Sequence, residues 1–263
     1  MSWKFGAATD IGSRSEQQDR LAILHSRNGR RHLVVVADGM GGLQNGAQAA
    51  QILIDVASEH FSRYKNGYPY DFLGHICQTA HKTINDLPVD GGSSPGTTAL
   101  LLFIDKQTAY WAHVGDSRLY HFRNGSFLKH THDHSLLQLM VDKGLVEKDN
   151  APAEMRNQLY MRLGGEGTPE PDFNESEVED GDLFLLCSDG FWQPMQPDEM
   201  VTVLKQYPPD QGGPQYLVDL ARQRSGDCSD NISLAVLHWV RAAELGLWQR
   251  FINVMRKRFC IRA

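Results

Sequence analysis

Short runs of apolar residues, many of them β-branched or aromatic, recur along the whole chain and are separated by polar or glycine-containing turns. Runs of this kind predict β-strands, because a strand needs only a few residues to cross a core. An Asn-Gly pair at 124–125, between two of the runs, is typical of a hairpin turn. The predicted strands cover residues 3–8, 21–24, 33–36, 97–104, 108–114, 118–123, 126–129, 173–178, 183–187 and 232–240.

Longer stretches carry apolar residues at three- and four-residue steps, which is the spacing of one face of an α-helix. In the first of them Ala47, Ala50, Ile54, Ala57 and Phe61 fall on such a face. The predicted helices cover residues 45–64, 70–87, 135–143, 198–207 and 215–225.

The stretch 130–167 gives weaker signals. Asp133-His134-Ser135 opens the third predicted helix and supplies oxygens that can cap it. The histidines at 130, 132 and 134 alternate, and we interpret them as a cap and solvent-exposed side chains rather than as a metal site. Residues 143–167 are interrupted by proline and glycines, so we expect only short helical pieces, around 154–162.

The order of these elements bears on the fold class. Strands follow one another in runs, and pairs of helices stand between the runs, at 45–87 and 198–225. A parallel sheet would instead need a crossover helix after nearly every strand. The pattern therefore predicts an α+β fold in which two packed antiparallel β-sheets are flanked by helices.

Five aspartates stand at the ends of predicted strands, although they are far apart in the sequence. A single aspartate in that position is usually a turn residue. Five in the same setting are better explained by convergence on one oxygen-rich site, and such ligands suit hard divalent cations such as Mg²⁺ and Mn²⁺. They are Asp19, Asp38, Asp116, Asp189 and Asp230.

Composition narrows the range of functions. The 263 residues suffice for one large domain, and contents of 41% hydrophobic and 22% charged residues are ordinary for a soluble globular protein. A net charge of −6 argues against nucleic acid as the main partner. The N-terminus does not resemble a signal peptide, and no apolar run approaches the ~20 residues of a membrane span. The four cysteines are isolated, so we expect a cytoplasmic protein with reduced thiols and no zinc site.

Seven short motifs occur in the order in which one known family has them. They are RSEQQD at 14–19, DGMGG at 38–42, PGTT at 95–98, VGDSR at 114–118, DHS at 133–135, CSDG at 187–190 and DN at 230–231. With these motifs the chain resembles the metal-dependent protein phosphatases of type 2C, the PPM family, and in particular their compact bacterial members. The resemblance implies an αββα sandwich, which we assign to a phosphatase domain over residues 1–240.

The resemblance also implies a reaction: hydrolysis of phosphoserine or phosphothreonine in partner proteins by a water that two Mn²⁺ or Mg²⁺ ions activate. It implies that Asp38 bridges the two ions and that the carbonyl oxygen of Gly39 binds one of them. Asp189 and Asp230 would complete the protein ligands, and Asp19 would act through a metal-bound water.

Four further residues take roles from the same resemblance. Asp116 would help to hold a third ion, as in bacterial members. Arg14 would bind the phosphate, for which its planar fork of donors is suited. Asn231 and Gln18 would support the metal site, although Gln18 stands where other members have a charged glutamate.

Met40 departs from the family pattern. Many members have a histidine at this position as a candidate general acid. Methionine has no proton to give, so the leaving alkoxide must take its proton from another source.

The resemblance implies that the partners are phosphorylated substrates of a cognate serine/threonine kinase, and we expect a monomeric enzyme. Two alternatives stay open: a pseudophosphatase that serves as a binding module, and a phosphohydrolase of a small phosphoester. Retention of Asp38, Asp189 and Asp230 counts against the first. The sequence has no P-loop or Rossmann fingerprint that would favour a nucleotide as the small substrate.

Residues 241–263 form a tail of different composition, with six basic residues and one acidic residue, a net charge of +5. Its apolar residues have a heptad-like spacing, which predicts an amphipathic helix. Such a helix can bind an anionic membrane or a protein partner, or it can dock on its own acidic domain. We favour internal docking.

Overall fold

The computed structural model describes residues 2–41, 45–88, 94–147, 155 and 158–240. The strands within this part are β1 (Ser2–Asp10), β2 (Arg20–His25), β3 (Arg31–Ala37), β4 (Gly39–Met40), β5 (Gly96–Thr97), β6 (Ala99–Asp105), β7 (Thr108–Val114), β8 (Arg118–Arg123), β9 (Ser126–His130), β10 (Asp172–Glu177), β11 (Asp182–Cys187) and β12 (Ile232–Val240). The α-helices are α1 (Asn45–Arg63), α2 (Pro69–Asn85), α3 (Leu136–Asp142), α4 (Asp189–Trp192), α5 (Pro197–Gln206) and α6 (Gly213–Ser225).

Most of the described strands belong to two antiparallel sheets. Sheet I has the strand order β1-β12-β11-β8-β9, and sheet II has the order β10-β7-β6-β3-β2. The two-residue strands β4 and β5 pair separately, with Gly39 opposite Thr97 and Met40 opposite Gly96. The α+β fold with two packed antiparallel sheets is thereby confirmed.

Alternation along the strands builds the core in three layers. In β3, Leu33 and Val35 pack in the cluster that sheet II shares with α1 and α2. Val34 and Val36 point to the opposite side, where they pack with Phe184 of sheet I. A third cluster joins sheet I to α5 and α6. Because successive side chains of a strand point to opposite faces, continuously apolar strands suit the two inner sheets of this sandwich.

One local prediction is wrong, and some short elements were not predicted. Residues 158–162 are not helical, because their backbone is used elsewhere: Leu159 forms an isolated β-bridge with Ser135, and the adjacent Leu163 forms one with Thr97. The short helix α4 was not predicted, since it begins at Asp189, directly where a strand motif ends. The ribbon of β4 and β5 was also missed, because strands of two residues carry no periodic pattern.

The rest of the predicted elements fall within a few residues of the observed ones. None of the helices in the described part of the chain combines the length and the hydropathy that a bilayer span requires. The tail at 241–263 and most of the predicted helical pieces around 154–157 lie outside the described residues.

Candidate active site

A cavity of about 450 Å³ opens at one end of the sandwich, where β3, β7 and β11 end and β12 begins. Eight of the nine predicted site residues line it. The ninth, Asp19, is buried beside it and is hydrogen-bonded to Ser188, the neighbour of Asp189. The eight are Arg14, Gln18, Asp38, Gly39, Asp116, Asp189, Asp230 and Asn231.

Asp38 is held at the end of β3 by two threonines. Its backbone N–H donates to Oγ1 of Thr98 at 2.9 Å, and its carbonyl oxygen accepts from the N–H of Thr98 at 2.9 Å. The same carbonyl accepts from Oγ1 of Thr97 at 3.0 Å. The PGTT motif therefore fixes the backbone on which the Asp38 carboxylate stands.

Gly39 follows Asp38 and lies against the start of α1. A Cβ added at this position would lie 2.2 Å from the carbonyl oxygen of Gly46 and 2.7 Å from that of Gln18. Both neighbours are backbone atoms, so they cannot move aside cheaply. Glycine is required here to bring β4 next to the helix.

Asp19 is 3% exposed, and its two carboxylate oxygens differ in their hydrogen bonding. Ser188 donates through Oγ to Oδ2 of Asp19 at 2.7 Å, while Ser188 Oγ itself accepts from the N–H of Ser233 at 3.0 Å. Within the part of the chain that the structure describes, Oδ1 of Asp19 is buried without a hydrogen-bond partner. Burial raises the pKa of Asp19 to about 7, and the charge of Asp189 adds to the effect.

The other carboxylates of the cavity repel one another; Asp116 is buried, and Asp38 and Asp189 are partly buried. Burial, followed by the charge of Asp19, raises the pKa of Asp38 well above its usual range. Burial, followed by the charge of Asp189, does the same for Asp116. The pKa of Asp189 is raised to about 6, by burial and then by the charge of Asp230. Cations among the carboxylates would stabilise the charged form of such a cluster.

The donor set fits Mg²⁺ or Mn²⁺. The side-chain oxygens come from carboxylates, the ligand type that both ions favour, and the unpartnered Oδ1 of Asp19 lacks only a donor or a cation. Among the described residues that line the cavity, none is a cysteine or a histidine, which softer metals would prefer.

Arg14 reaches the cavity from the loop between β1 and β2. Its Nη2 lies 2.6 Å from Oδ2 of Asp230, and its side chain is 60% exposed. The hydrogen bond to Asp230, with that residue's charge, raises the pKa of Arg14. A permanently charged, accessible guanidinium at the rim of an acidic cavity can bind the oxygens of a phosphate.

Asn231 ties the loop of Arg14 to β12. Its Nδ2 donates to the carbonyl oxygens of Ile11 at 2.9 Å and Glu16 at 3.0 Å. Its Oδ1 accepts from the N–H of Gln18 at 2.7 Å. Nε2 of Gln18 donates to Glu16 at 3.2 Å, so the amide of Gln18 organises this loop.

Most residues of this site lie within a match to a known protein family. The family model of protein phosphatase 2C matches residues 8–215. The chain belongs to the protein phosphatase 2C family. The match covers the motifs of Arg14, Asp38, Asp116 and Asp189 and ends before Asp230.

Three bacterial proteins illustrate what this phosphatase 2C chain is similar to. A Streptococcus pyogenes protein named for the 2C type of protein phosphatase is 30% identical over 241 residues, which are 89% of this chain and 97% of that protein. The serine/threonine phosphatase of S. agalactiae is 28% identical, with a TM-score of 0.84 over 91% of this chain and all of that one. The catalytic domain of the serine/threonine phosphatase PstP, a protein of Mycobacterium tuberculosis, was solved with two manganese ions; it is 26% identical, with a TM-score of 0.75 over 91% and 99% of the two chains.

Several residues that support the phosphatase 2C site were not singled out from the sequence. Arg118 forms a buried bidentate ion pair with Asp133, at 2.8 and 2.7 Å, and stacks over Trp192 at 3.4 Å. Trp192 in turn donates through Nε1 to the carbonyl oxygen of Asp116 at 2.9 Å. The signal for two of these residues was present, because Arg118 and Asp133 lie in motifs of the family.

Proposed function

We propose that this chain is a metal-dependent protein serine/threonine phosphatase that hydrolyses phosphoserine and phosphothreonine in partner proteins. The observation that carries the proposal is one cavity lined by four aspartates of distant sequence origin, with Arg14 at its rim. Membership of the protein phosphatase 2C family supports the reaction class. The alternatives of a pseudophosphatase and of a small-molecule phosphohydrolase are not favoured.

The residues proposed to hold two cations are Asp38, the carbonyl group of Gly39, Asp189 and Asp230, with Asp19 supporting them indirectly. Asp116 is proposed to hold a third cation together with Asp189. When bound, such cations neutralise the carboxylates, lower the pKa of a coordinated water and stabilise the charge that develops on the phosphoryl group. The manganese ions in PstP support Mn²⁺ or Mg²⁺ as the metal for this chain.

The chain's own residues bind and orient the substrate. Arg14 offers its fork of N–H donors to the phosphoryl oxygens and thereby aligns the phosphorus atom. Thr97 and Thr98 hold the backbone of Asp38, and Ser188 holds Oδ2 of Asp19. These fixed groups place the carboxylates before the substrate arrives, so little reorganisation is needed during the reaction.

The proton for the leaving alkoxide does not come from a histidine at position 40, which is Met40. Among the described residues that line the cavity, the side chains able to release a proton near neutral pH are carboxylic acids. A carboxyl group that binds a cation does so in its deprotonated form and has no proton to give. We therefore infer that a water supplies this proton.

The physiological setting stays a prediction. The proposed substrates are proteins phosphorylated by a cognate serine/threonine kinase. A cytoplasmic location, a monomeric state and the contact of the tail with its own domain, with a membrane or with a partner are predictions from the sequence.

The reaction can be tested with two substrates offered to the same preparation. We expect release of phosphate from a phosphothreonine peptide in Mn²⁺ or Mg²⁺, and loss of the activity in excess chelator with recovery on re-addition of metal. Turnover of a small phosphoester with none of the peptide would contradict a protein phosphatase. Full peptide turnover by the chelated enzyme would contradict the metal requirement.

A further inference from the structure

Two buried histidines lie side by side behind the cavity. His113 is in β7 and His134 precedes α3, and their ring centroids are 4.4 Å apart. Their exposed fractions are 1% and 2%, so the interpretation of His134 as a cap or an exposed residue is wrong. Ser135 caps α3, since its Oγ accepts from the N–H of Gln138. Burial lowers the pKa of both rings, that of His113 to about 4.

Both rings are bonded to the backbone of Gly115. The N–H of Gly115 donates to Nδ1 of His134 at 3.2 Å, and Nε2 of His113 donates to the carbonyl oxygen of Gly115 at 2.8 Å. The backbone N–H of His134 donates to the same oxygen at 2.8 Å. Because a neutral imidazole has one donor and one acceptor, these partners place the proton on Nε2 of each ring.

Gly115 directly precedes Asp116 and has a backbone that only glycine adopts easily. Its φ is +106°, and a Cβ added there would lie 2.6 Å from Cγ2 of Thr98. On the far side of Asp116, the hydroxyl of Ser117 lies 2.7 Å from that of Thr98. Trp192 holds the carbonyl oxygen of Asp116 itself. The backbone is therefore fixed on both sides of the Asp116 carboxylate.

We propose that His113 and His134 are positioning residues for Asp116: they bind the two polar backbone groups of Gly115 and so set where the Asp116 carboxylate enters the cavity. The inference rests on the proposed function, because it assigns these histidines a role at the third cation site. Neither residue is proposed to touch the substrate.

His134 also connects the backbone beside Asp116 to another wall of the cavity. Its carbonyl oxygen accepts from the N–H of Tyr160 at 3.0 Å, and the Tyr160 ring packs on its imidazole with centroids 5.5 Å apart. Leu159, the neighbour of Tyr160, lines the cavity. Loss of the His134 side chain should therefore disturb both Asp116 and the wall that Leu159 forms.

The same histidines, with Asp172, have ligand atoms within 4.8 Å of one another, as a transition-metal site would. The contacts favour the positioning role. Nδ1 of His134 is used by the N–H of Gly115, and Nε2 of His134 lies 3.3 Å from Asp172, to which it can donate. A metal would have to displace that proton or take the lone pair of Nδ1. Nδ1 of His113, which has no hydrogen-bond partner among the described residues, offers a single lone pair.

Matched substitutions distinguish the effect of losing a histidine's hydrogen bond from the effect of changing its side-chain volume. His134→Leu removes the acceptor for Gly115, whereas His134→Asn keeps an oxygen where Nδ1 stands. His113→Leu removes the donor, whereas His113→Gln keeps an N–H at the reach of Nε2. His121→Leu is the control, since His121 is a buried histidine of the same sandwich that faces Asp182 and Phe184 instead.

The main readout is direct binding of Mn²⁺, followed by calorimetry, alongside kcat, KM and the melting temperature. We expect both leucine variants at 113 and 134 to weaken the lowest-affinity Mn²⁺ site roughly tenfold or more, the range seen when a support of a metal ligand is lost. We expect the Asn and Gln variants to restore most of that affinity. The control should lower the melting temperature and leave Mn²⁺ affinity as it is.

A double-variant cycle adds a second criterion. Asp116→Asn removes the ligand that the histidines are proposed to place, so His134→Leu should change Mn²⁺ binding little in that background. Additive losses, unchanged Mn²⁺ binding in the leucine variants, or Zn²⁺ binding to the wild type that His113→Gln abolishes would each overturn the proposal. These measurements do not depend on turnover, so inactivity of the wild type on phosphopeptides would count against the proposed function alone.

Discussion

Arg14 and Asp230 form an ion pair across the rim of the cavity, with Nη2 of Arg14 2.6 Å from Oδ2 of Asp230. The other oxygen of Asp230, Oδ1, accepts from the N–H of Asn231 at 2.8 Å. Both oxygens of a proposed metal ligand are thus in use by the chain itself. A cation that binds Oδ2 therefore competes with Arg14, and its binding would release the guanidinium for a phosphate.

Arg14→Ala should lower kcat/KM for a phosphothreonine peptide by about 10–100-fold, because a charge-assisted contact is worth roughly 1.5–3 kcal/mol. The same variant should bind Mn²⁺ at least as tightly as the wild type, since a competing positive charge is gone. Steady-state kinetics and calorimetry measure the two effects. Arg27→Ala, at an exposed arginine in the turn after β2, is the matched control. Unchanged kinetics would show that Arg14 does not bind the phosphate.

Asp38→Ala and Asp189→Ala should each reduce peptide turnover by more than roughly 100-fold, because loss of a residue that only supports a metal ligand already costs about 10–100-fold. Both variants should also bind fewer Mn²⁺ ions. Asp71→Ala, at an exposed aspartate of α2, should behave as the wild type. Wild-type turnover in either site variant would exclude the two-metal arrangement.

Asp19 gives a prediction about pH in the metal-free protein. Its pKa is about 7 when folded, above the usual value of 3.8, so the folded state binds the proton more tightly. Stability from this group is present below the unfolded pKa and is lost as pH rises through about 7. In chelator, Asp19→Asn should therefore gain stability over the wild type as pH rises from ~4 to ~8, by on the order of 3 kcal/mol.

Denaturant unfolding at several pH values measures this difference. The comparison with Asp19→Asn removes the contributions of acids that do not interact with Asp19, such as Glu199, which Arg224 holds at a pKa of about 2. A difference between the two proteins that does not vary with pH would contradict the raised pKa. Saturating Mn²⁺ should reduce or reverse the difference, because the charged carboxylate is then compensated.

Removal of residues 241–263 tests the tail. The tail has a net charge of +5 and the remaining chain is acidic, so we expect it to dock internally and its deletion to lower the melting temperature. Peptide turnover below the melting temperature should persist. A truncated protein that melts with the wild type and no longer sediments with anionic vesicles would instead favour a membrane role.

The convergence of the carboxylates on one cavity could be predicted because each stands in a short motif at a strand end. Their supports could not, since they come from distant positions: Thr98 holds the Asp38 backbone from 60 residues away, and Ser188 holds Asp19 from 169 residues away. A hydroxyl inside an apolar stretch gives no sign of its partner. His134 shows the same limit, because its alternation with two exposed histidines concealed its burial.

The long strands and helices were predicted more accurately than the short elements. Long strands and amphipathic helices have a periodicity that burial dictates, so Ile232–Val240 was predicted to the residue. The ribbon of Met40 with Gly96 depends on tertiary pairing alone. The backbone of Leu159 was expected to be helical, but it pairs with Ser135. This pairing joins segments that are distant in the sequence, and it places Leu159 in the wall of the cavity.

The acidic cavity lies across the seam between the two sheets. Asp38 ends β3 of sheet II, whereas Asp189 and Asp230 flank β11 and β12 of sheet I. Ions held by all three would cross-link the two halves of the sandwich, as a disulfide does in a secreted protein. The free energy of unfolding should then rise with the logarithm of the free metal concentration. A low manganese concentration in the cell would therefore shorten the lifetime of this protein as well as reduce its catalytic activity.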